Sequence, residues 1–204
     1  METFKGYSIV SCGTLLKELN YLKQIGFLDT DKILYTAPGL HEEPVKLEEQ
    51  LLKQLNIAKD YSQKIIVLYG SRCYINAEDP FKDIDKIIQG QEGQISRIKA
   101  KNCVDMLSSM EEREKIGDKF YWLTPGWLVN WKQIFKTWDQ AKANETFPKH
   151  GKAIMLDAVG IYDAYSQNSP EKILEFSDWM AIPIEPYRIS LDRLKKLILD
   201  CLNE

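Results

Sequence analysis

The chain has 204 residues, of which 44% are hydrophobic and 28% are charged. This length and composition suit one large folded domain with an ordinary charged surface. The 27 basic and 30 acidic residues leave a net charge of −3 without any basic run, which argues against nucleic acid as a partner.

The first part of the chain alternates short apolar runs with helix-like segments. We predict strands at residues 7–11, 32–36, 64–69 and 95–100, each followed by a helix. The run 64–69 lacks polar alternation, as is typical of a central parallel strand covered on both faces. Thr14 is predicted to cap the first helix and Pro44 to lie in the first turn of the second. Further helices are predicted at 81–89 and 103–116.

The second part begins with the apolar run 120–123, which ends at Pro125-Gly126. We predict an aromatic helix at 128–143, a loop at 147–151, a buried strand at 152–159 and a helix that begins at 170. A connector containing Pro183 and Pro186 then leads to a last amphipathic helix capped by Ser190. The segment 120–145 is either a helical lid over a site or part of the core.

The repeated alternation of strand and helix predicts an α/β fold with a mainly parallel sheet and helices on both faces, a Rossmann-like layered domain. We expect residues 1–204 to form a single domain. Apolar stretches reach only strand length, and the N-terminus lacks a signal-peptide core. The sequence therefore predicts a cytoplasmic protein with no membrane partner, in which cysteines are metal ligands, reactive thiols or core residues rather than disulfides.

Three cysteines and a histidine follow four successive predicted strands: Cys12, His41, Cys73 and Cys103. Strand ends of a parallel sheet lie along one edge, so these side chains are predicted to meet in one site. Thiolate and imidazole are preferred ligands of zinc, and the absence of a C-x-x-C pair excludes a zinc ribbon or knuckle. The alternative for each cysteine is core packing, which we favour for Cys201. His150 is the reserve ligand.

Other residues near the same edge are candidates for binding or catalysis. Arg72, beside Cys73, is suited to hold an anion or to lower the pKa of the thiol, although an exposed salt bridge is an equal alternative. Gly70 lets backbone or ligand approach closely. Tyr69 and Trp127 are predicted to line a pocket, or else to belong to the core.

Several short motifs together resemble the domain-of-unknown-function 1638 family over most of the chain. They are Cys12-Gly13-Thr14-Leu15, Glu18-Leu19, Gly39-Leu40-His41, Tyr69-Gly70-Ser71-Arg72-Cys73, Asn102-Cys103-Val104-Asp105-Met106-Leu107 and Leu123-Thr124-Pro125-Gly126-Trp127. The resemblance implies a role in one-carbon or corrinoid metabolism, with a corrinoid contact and a corrinoid protein or methyltransferase as partner. Asn102 departs from the family pattern, in which an acidic residue precedes the third cysteine.

Three functions remain open. The first is a zinc-dependent methyltransferase or an accessory protein of methyl transfer, in which a coordinated thiol is deprotonated. The second is a non-enzymatic carrier or sensor of metal or cofactor. The third is a metal-free thiol enzyme in which Cys73 is the nucleophile and Arg72 assists it.

Overall fold

The computed structural model describes residues 3–203, which alternate between strands and helices along the chain as predicted. The strands are β1 (Tyr7–Cys12), β2 (Lys32–Thr36), β3 (Lys64–Leu68), β4 (Gln94–Arg97), β5 (Phe120–Leu123), β6 (Lys152–Asp157) and β7 (Ile184–Arg188). The helices are α1 (Leu16–Gln24), α2 (Pro44–Lys59), α3 (Ile84–Gln89), α4 (Cys103–Leu107), α5 (Met110–Ile116), α6 (Pro125–Ile134), α7 (Gln140–Thr146), α8 (Ile161–Asn168), α9 (Pro170–Met180) and α10 (Asp192–Asp200). None of these helices is long and apolar enough to span a membrane.

The strands form two sheets, and every pairing in both is parallel. The first sheet has the order β2-β1-β3-β4 and the second has the order β5-β6-β7. Helices join the strands within each sheet, as parallel pairing requires. The α/β class is therefore confirmed, and the strands divide between two sheets rather than forming one.

The first sheet buries both of its faces, which explains the uninterrupted apolar run of β3. Ile66 and Leu68 face a core that also holds the apolar sides of α1 and α10. Ile65 and Val67 face the opposite core, against α2 and α3. Because successive side chains of a strand point to opposite faces, both sets must be apolar when both faces are covered.

The second sheet is built around β6 and joins the first through a shared core. Met155 packs with the aromatic side chains of α6 and α9. Leu156, on the opposite face of the same strand, belongs to the core of the first sheet. Much of the predicted aromatic segment is core here, since Phe135 and Leu128 are buried in this cluster.

Two predicted helices are each divided in the structure, and the helix predicted at 81–89 begins later, at Ile84. The segment 103–116 is two helices, because Ser108 is extended and Ser109 starts α5 with a capping box to Glu112. The aromatic helix starts earlier than predicted, at Pro125, since proline is well suited to the first turn of a helix. It ends at Ile134, and α7 begins after Asp139, whose carboxylate accepts a hydrogen bond from the backbone N–H of Lys142.

Three further segments also differ from the prediction. The predicted connector contains β7, an edge strand in which Pro186 is tolerated because it needs no N–H partner on its free side. The predicted loop at 147–151 is largely a 3-10 turn, Phe147–His150. Helix α8 was not predicted, and its first turn is held by Asp157, which accepts hydrogen bonds from three backbone N–H groups.

Candidate functional site

The carboxyl edge of the first sheet places the predicted residues next to one another. In the sheet register, Cys12 at the end of β1 lies opposite Thr36, and Ser11 lies opposite Leu68. The chain beyond β3 therefore leaves the sheet at the level of Cys12. Cys103 is the first residue of α4, which follows β4 on the next strand of the sheet.

The loop that carries Cys73 is fixed against the loop that precedes Cys103. The backbone N–H of Ser71 donates to the carbonyl of Ala100 at 2.9 Å, and that of Arg72 donates to the carbonyl of Lys101 at 2.8 Å. A Cβ on Gly70 would lie 2.2 Å from the Lys101 carbonyl oxygen. The close approach at Gly70 is thus made by backbone rather than by a ligand, which places this glycine in the scaffold of the site.

All four predicted ligand residues line one small cavity: Cys12, His41, Cys73 and Cys103. Tyr69 and Trp127 are also part of its wall, as predicted for a pocket. Its volume is about 30 Å³. A space of this size holds a single water-sized species.

The environment of the cysteines is apolar. Burial, together with the neighbouring Cys103 and Cys12, raises the pKa of the Cys73 thiol far above its usual range. Burial likewise raises the pKa of Cys103 to about 12, with Cys12 adding to the effect. The reduced, metal-free thiols at these two positions are therefore neutral at physiological pH.

Hydrogen-bond donors point at the sulfur atoms. The Thr14 hydroxyl donates to Cys12 Sγ at 3.2 Å. Thr14 was predicted as a helix cap, but it lies inside the 3-10 turn Gly13–Leu15 and caps nothing with its side chain. The indole N–H of Trp127 is close enough to lower the pKa of Cys103, although it has no partner at normal hydrogen-bond geometry within residues 3–203. Both Trp127 and Thr14 act to lower the pKa of Cys103, against the larger effect of burial.

His41 completes the wall of the cavity from the 3-10 turn Leu40–Glu42. Its ring lies 5.6 Å from that of Trp127, between centroids, and Nε2 is 3.7 Å from a carboxylate oxygen of Glu42. Burial lowers the pKa of His41, and Glu42 counteracts part of this effect. The imidazole is thus neutral at pH 7, which is the form that binds metals.

The donor set, three thiols and one neutral imidazole, fits zinc or a related borderline metal. As they stand, however, no three Cys, His, Asp or Glu side chains within residues 3–203 are arranged at the distances that a metal requires. The cavity and the donor chemistry fit the ion, and the side chains would have to move closer together to bind it.

A wider cleft of about 390 Å³ adjoins the small cavity and shares Cys73, Cys103, His41 and Trp127 with it. Arg72 lies on this cleft and does not line the small cavity. His150, the reserve ligand, also lies on the cleft, with its ring centroid 5.3 Å from that of Tyr121. The predicted candidates therefore divide into an inner set at the cavity and an outer pair on the cleft.

Residues 35–198 match a family described as Protein of unknown function (DUF1638). The chain belongs to this family. Comparison with curated proteins found no match, and comparison with solved structures found none. The family resemblance read from the short motifs is thereby confirmed, and the match includes three of the four candidate ligands: His41, Cys73 and Cys103.

Asn102, which precedes the third cysteine, has a structural role. Its side-chain oxygen accepts a hydrogen bond from the backbone N–H of Asp105 at 2.9 Å and so caps α4. This bond holds the turn in which Cys103 is the first helical residue. Asn102 therefore orients the third cysteine through the backbone.

Glu18 is a residue of this region that the sequence reading did not single out as functional. It is fully buried, and neither carboxyl oxygen has a hydrogen-bond partner within residues 3–203. Its charge raises the pKa of Cys103, so it lies near the inner cavity. The signal was present in the sequence, because Leu15, Glu18, Leu19 and Leu22 share one helical face.

Proposed function

We propose that this protein binds a thiophilic divalent metal ion, zinc in the first instance, through Cys12, Cys73 and Cys103, with His41 as the fourth donor or beside an open position. The observation that carries the proposal is that these four side chains, from four separate connections of the sheet, line one cavity of about 30 Å³. A cavity of that size suits one ion and excludes an organic cofactor.

The electrostatics of the cavity support a bound cation. Burial raises the pKa values of Cys73 and Cys103, and no lysine or arginine among residues 3–203 lines the small cavity to counter that effect. A metal ion supplies the missing positive charge and deprotonates a coordinating thiol. Thr14 and Trp127 would then donate to the sulfurs, as outer partners of metal ligands commonly do.

The open cleft beside the cavity favours an enzyme over a closed structural site. Structural zinc sites fill all four positions with protein ligands, whereas catalytic sites keep one position for substrate. A thiolate-bound dication would hold an incoming thiol in its nucleophilic, deprotonated form. We therefore propose alkyl transfer to a bound thiol as the activity, in which the sulfur bonds to the alkyl carbon and the alkyl donor leaves with the electron pair of the broken bond. With His41 beside the open position, on the wall shared by cavity and cleft, its neutral imidazole would accept the thiol proton and pass it to solvent.

The metal-free thiol enzyme is the less favoured alternative. A nucleophilic cysteine needs a lowered pKa, whereas burial raises that of Cys73. The cation that acts on Cys73 is Arg97, not Arg72, and Arg97 is already paired with Asp85 at 2.6 Å. Rapid alkylation of Cys73 alone in metal-free protein would favour this alternative over ours.

Metal analysis of anaerobically purified protein tests the proposal. We expect about one equivalent of zinc per chain after reconstitution and dialysis, lost on replacing Cys12, Cys73 or Cys103 with serine. Cys201→Ser is the matched control, because Cys201 is buried in the core at the end of α10, away from the cavity. Wild-type protein that retains no zinc, cobalt or cadmium after this treatment would rule out the metal site.

The fourth coordination position of the metal distinguishes a non-enzymatic carrier from an enzyme. In the cobalt-substituted protein, a ligand-field spectrum that changes on adding a small thiol indicates an open position and favours the enzyme. A spectrum that is unaffected by thiol but changes in His41→Ala would instead show that His41 fills the fourth position, and would favour a closed site or a carrier.

A corrinoid partner is proposed from the family resemblance alone. Mixing the zinc-loaded protein with methylcobalamin and a thiol should give thioether and cob(I)alamin, with the thiol proton released to solvent. If no protein-dependent change occurs in the corrinoid spectrum, the corrinoid part of the proposal is wrong and the metal site is unaffected.

A further inference from the structure

The wider cleft combines three properties that together define a class of ligand. It has a volume of about 390 Å³, within the range of about 300–1,000 Å³ found for small-molecule sites. Its floor reaches Cys73 and Cys103 of the inner cavity. Its remaining wall consists mainly of aromatic and basic side chains.

The charge on the cleft has one sign. Arg72 and Arg113 both line it, and no acidic residue among residues 3–203 does so. Clefts lined by one sign of charge concentrate ligands of the opposite sign. An anionic ligand is therefore favoured, although the net charge of the whole chain is negative.

The two arginines could each bind an anion, but their side chains differ in how firmly they are held. The exposed side chain of Arg72 makes no hydrogen bond or ion pair within residues 3–203, while its backbone N–H is fixed by the carbonyl of Lys101 at 2.8 Å. Arg113 is half-buried, donates to the carbonyl of Ser108, and lies 6.0 Å from the centroid of the Trp122 ring. One guanidinium is held in place and the other is free to close on a ligand, as the bidentate fork of arginine allows.

The aromatic wall of the cleft indicates that its ligand also has an apolar part. Phe120 and Trp122 come from β5 and meet edge to face, with centroids 6.0 Å apart, and Trp127 extends the wall towards the cysteines. Inorganic anions gain nothing from such a surface, whereas an apolar body gains about 25 cal/mol for each Å² removed from water.

We propose that this cleft binds a small organic anion, a carboxylate, sulfonate or phosphate held by Arg72 and Arg113, with an apolar body against Phe120 and Trp122. The inference rests on the proposed function in one respect, that the opposite end of the ligand reaches the cysteines. The ligand is then the substrate of the metal site, and the arginines set its orientation. Its binding through arginine does not itself require metal.

Calorimetric titration with four probes tests this inference in metal-free protein. We expect 3-phenylpropionate to bind, and its neutral amide, acetate and inorganic phosphate each to bind at least about tenfold more weakly, because each lacks the charge or the apolar body. Arg72→Gln should weaken 3-phenylpropionate about tenfold. Arg188→Gln is the matched control, since Arg188 is an exposed arginine on β7 and does not line the cleft.

The outcomes separate the cleft from the metal site. The organic-anion cleft is overturned if the neutral amide or inorganic phosphate binds as tightly as 3-phenylpropionate. It is also overturned if no probe binds, or if Arg72→Gln has no effect on the binding of 3-phenylpropionate. Binding that appears only in zinc-loaded protein and ignores Arg72→Gln assigns the carboxylate to the metal, which overturns the cleft and leaves the metal site standing. Arginine-dependent binding to a protein that takes up no zinc, cobalt or cadmium on reconstitution supports the cleft, while that failure to take up metal refutes the proposed function.

Discussion

The buried carboxyl group of Glu18 should make the stability of this protein fall as the pH rises through neutrality. Burial raises the pKa of Glu18 from 4.5 to about 8, and the negative charge of Asp157 contributes to the rise. In the unfolded chain the same group titrates near 4.5. Between these two values the folded state holds a proton that the unfolded state has released, so raising the pH favours unfolding.

The size of the effect follows from the two pKa values. Each unit of pKa difference corresponds to about 1.4 kcal/mol. From pH 4.5 to pH 7 the loss in unfolding free energy is on the order of 3 kcal/mol, and it levels off near 5 kcal/mol above pH 8. Below pH 4.5 Glu18 is protonated in both states and contributes no pH dependence. Total stabilities of proteins are about 5–15 kcal/mol, so the loss is measurable.

Urea unfolding of metal-free protein at pH 5, 7 and 8.5 measures this slope. Glu18→Met keeps a similar side-chain length without a titrating group or unpartnered oxygens, so we expect it to be more stable than wild type at pH 7 by up to about 3 kcal/mol and to show a flatter profile. Glu49→Met, at an exposed position of α2, should leave the slope unchanged. A wild-type stability that is constant or rises from pH 5 to 8.5, or a Met variant that keeps the slope, would refute the reasoning.

Three further predictions concern the scaffold, each measured by urea unfolding. Gly70→Ala should destabilise the protein by about 3 kcal/mol or more, because the new Cβ would lie 2.2 Å from a backbone atom. The control Gly90→Ala, whose Cβ meets no atom closer than 4.0 Å, should change stability by less than about 1 kcal/mol. Equal effects of the two substitutions would contradict the close approach at Gly70. Asp157→Ala should cost about 2 kcal/mol through the loss of the cap on α8, and a neutral result would contradict the cap. Ser109→Ala should cost about 1 kcal/mol through the capping box of α5, and no loss would contradict it.

The first sheet was predictable because its signals are local. The lack of polar alternation in the run 64–69 predicts that both faces of the strand are buried, and this is confirmed by the hydrophobic cores on either side of β3. The division into two sheets was not predictable from such signals, because the pattern of a strand does not say which strands it pairs with. Nor was β7, since Pro183 and Pro186 indicate a connector unless the strand is known to lie at an edge.

The placement of the four candidate ligands followed from one topological rule. Strand ends of a parallel sheet share an edge, and Cys12, His41, Cys73 and Cys103 accordingly line one cavity. The rule does not provide the distances between side chains. It therefore could not show whether the four side chains lie close enough together to coordinate a metal, and in the structure they do not. Glu18 was quoted within a motif but given no role, because the sequence alone does not show that its carboxyl group is buried without a hydrogen-bond partner among residues 3–203.

Helix α6 closes the cavity, and the rule that strand ends share one edge of a sheet does not predict its position. Because α6 packs on the second sheet, the site depends on both sheets. Helix α6 meets the 3-10 turn after β1 so closely that a Cβ on Gly126 would lie 2.0 Å from the Thr14 carbonyl oxygen. That contact brings Trp127, the next residue, over the cysteines of the first sheet. Since α6 packs on the core of β6, the inner cavity is complete only when both sheets are folded and docked. Metal or ligand that binds there should therefore stabilise the two sheets together rather than the first alone.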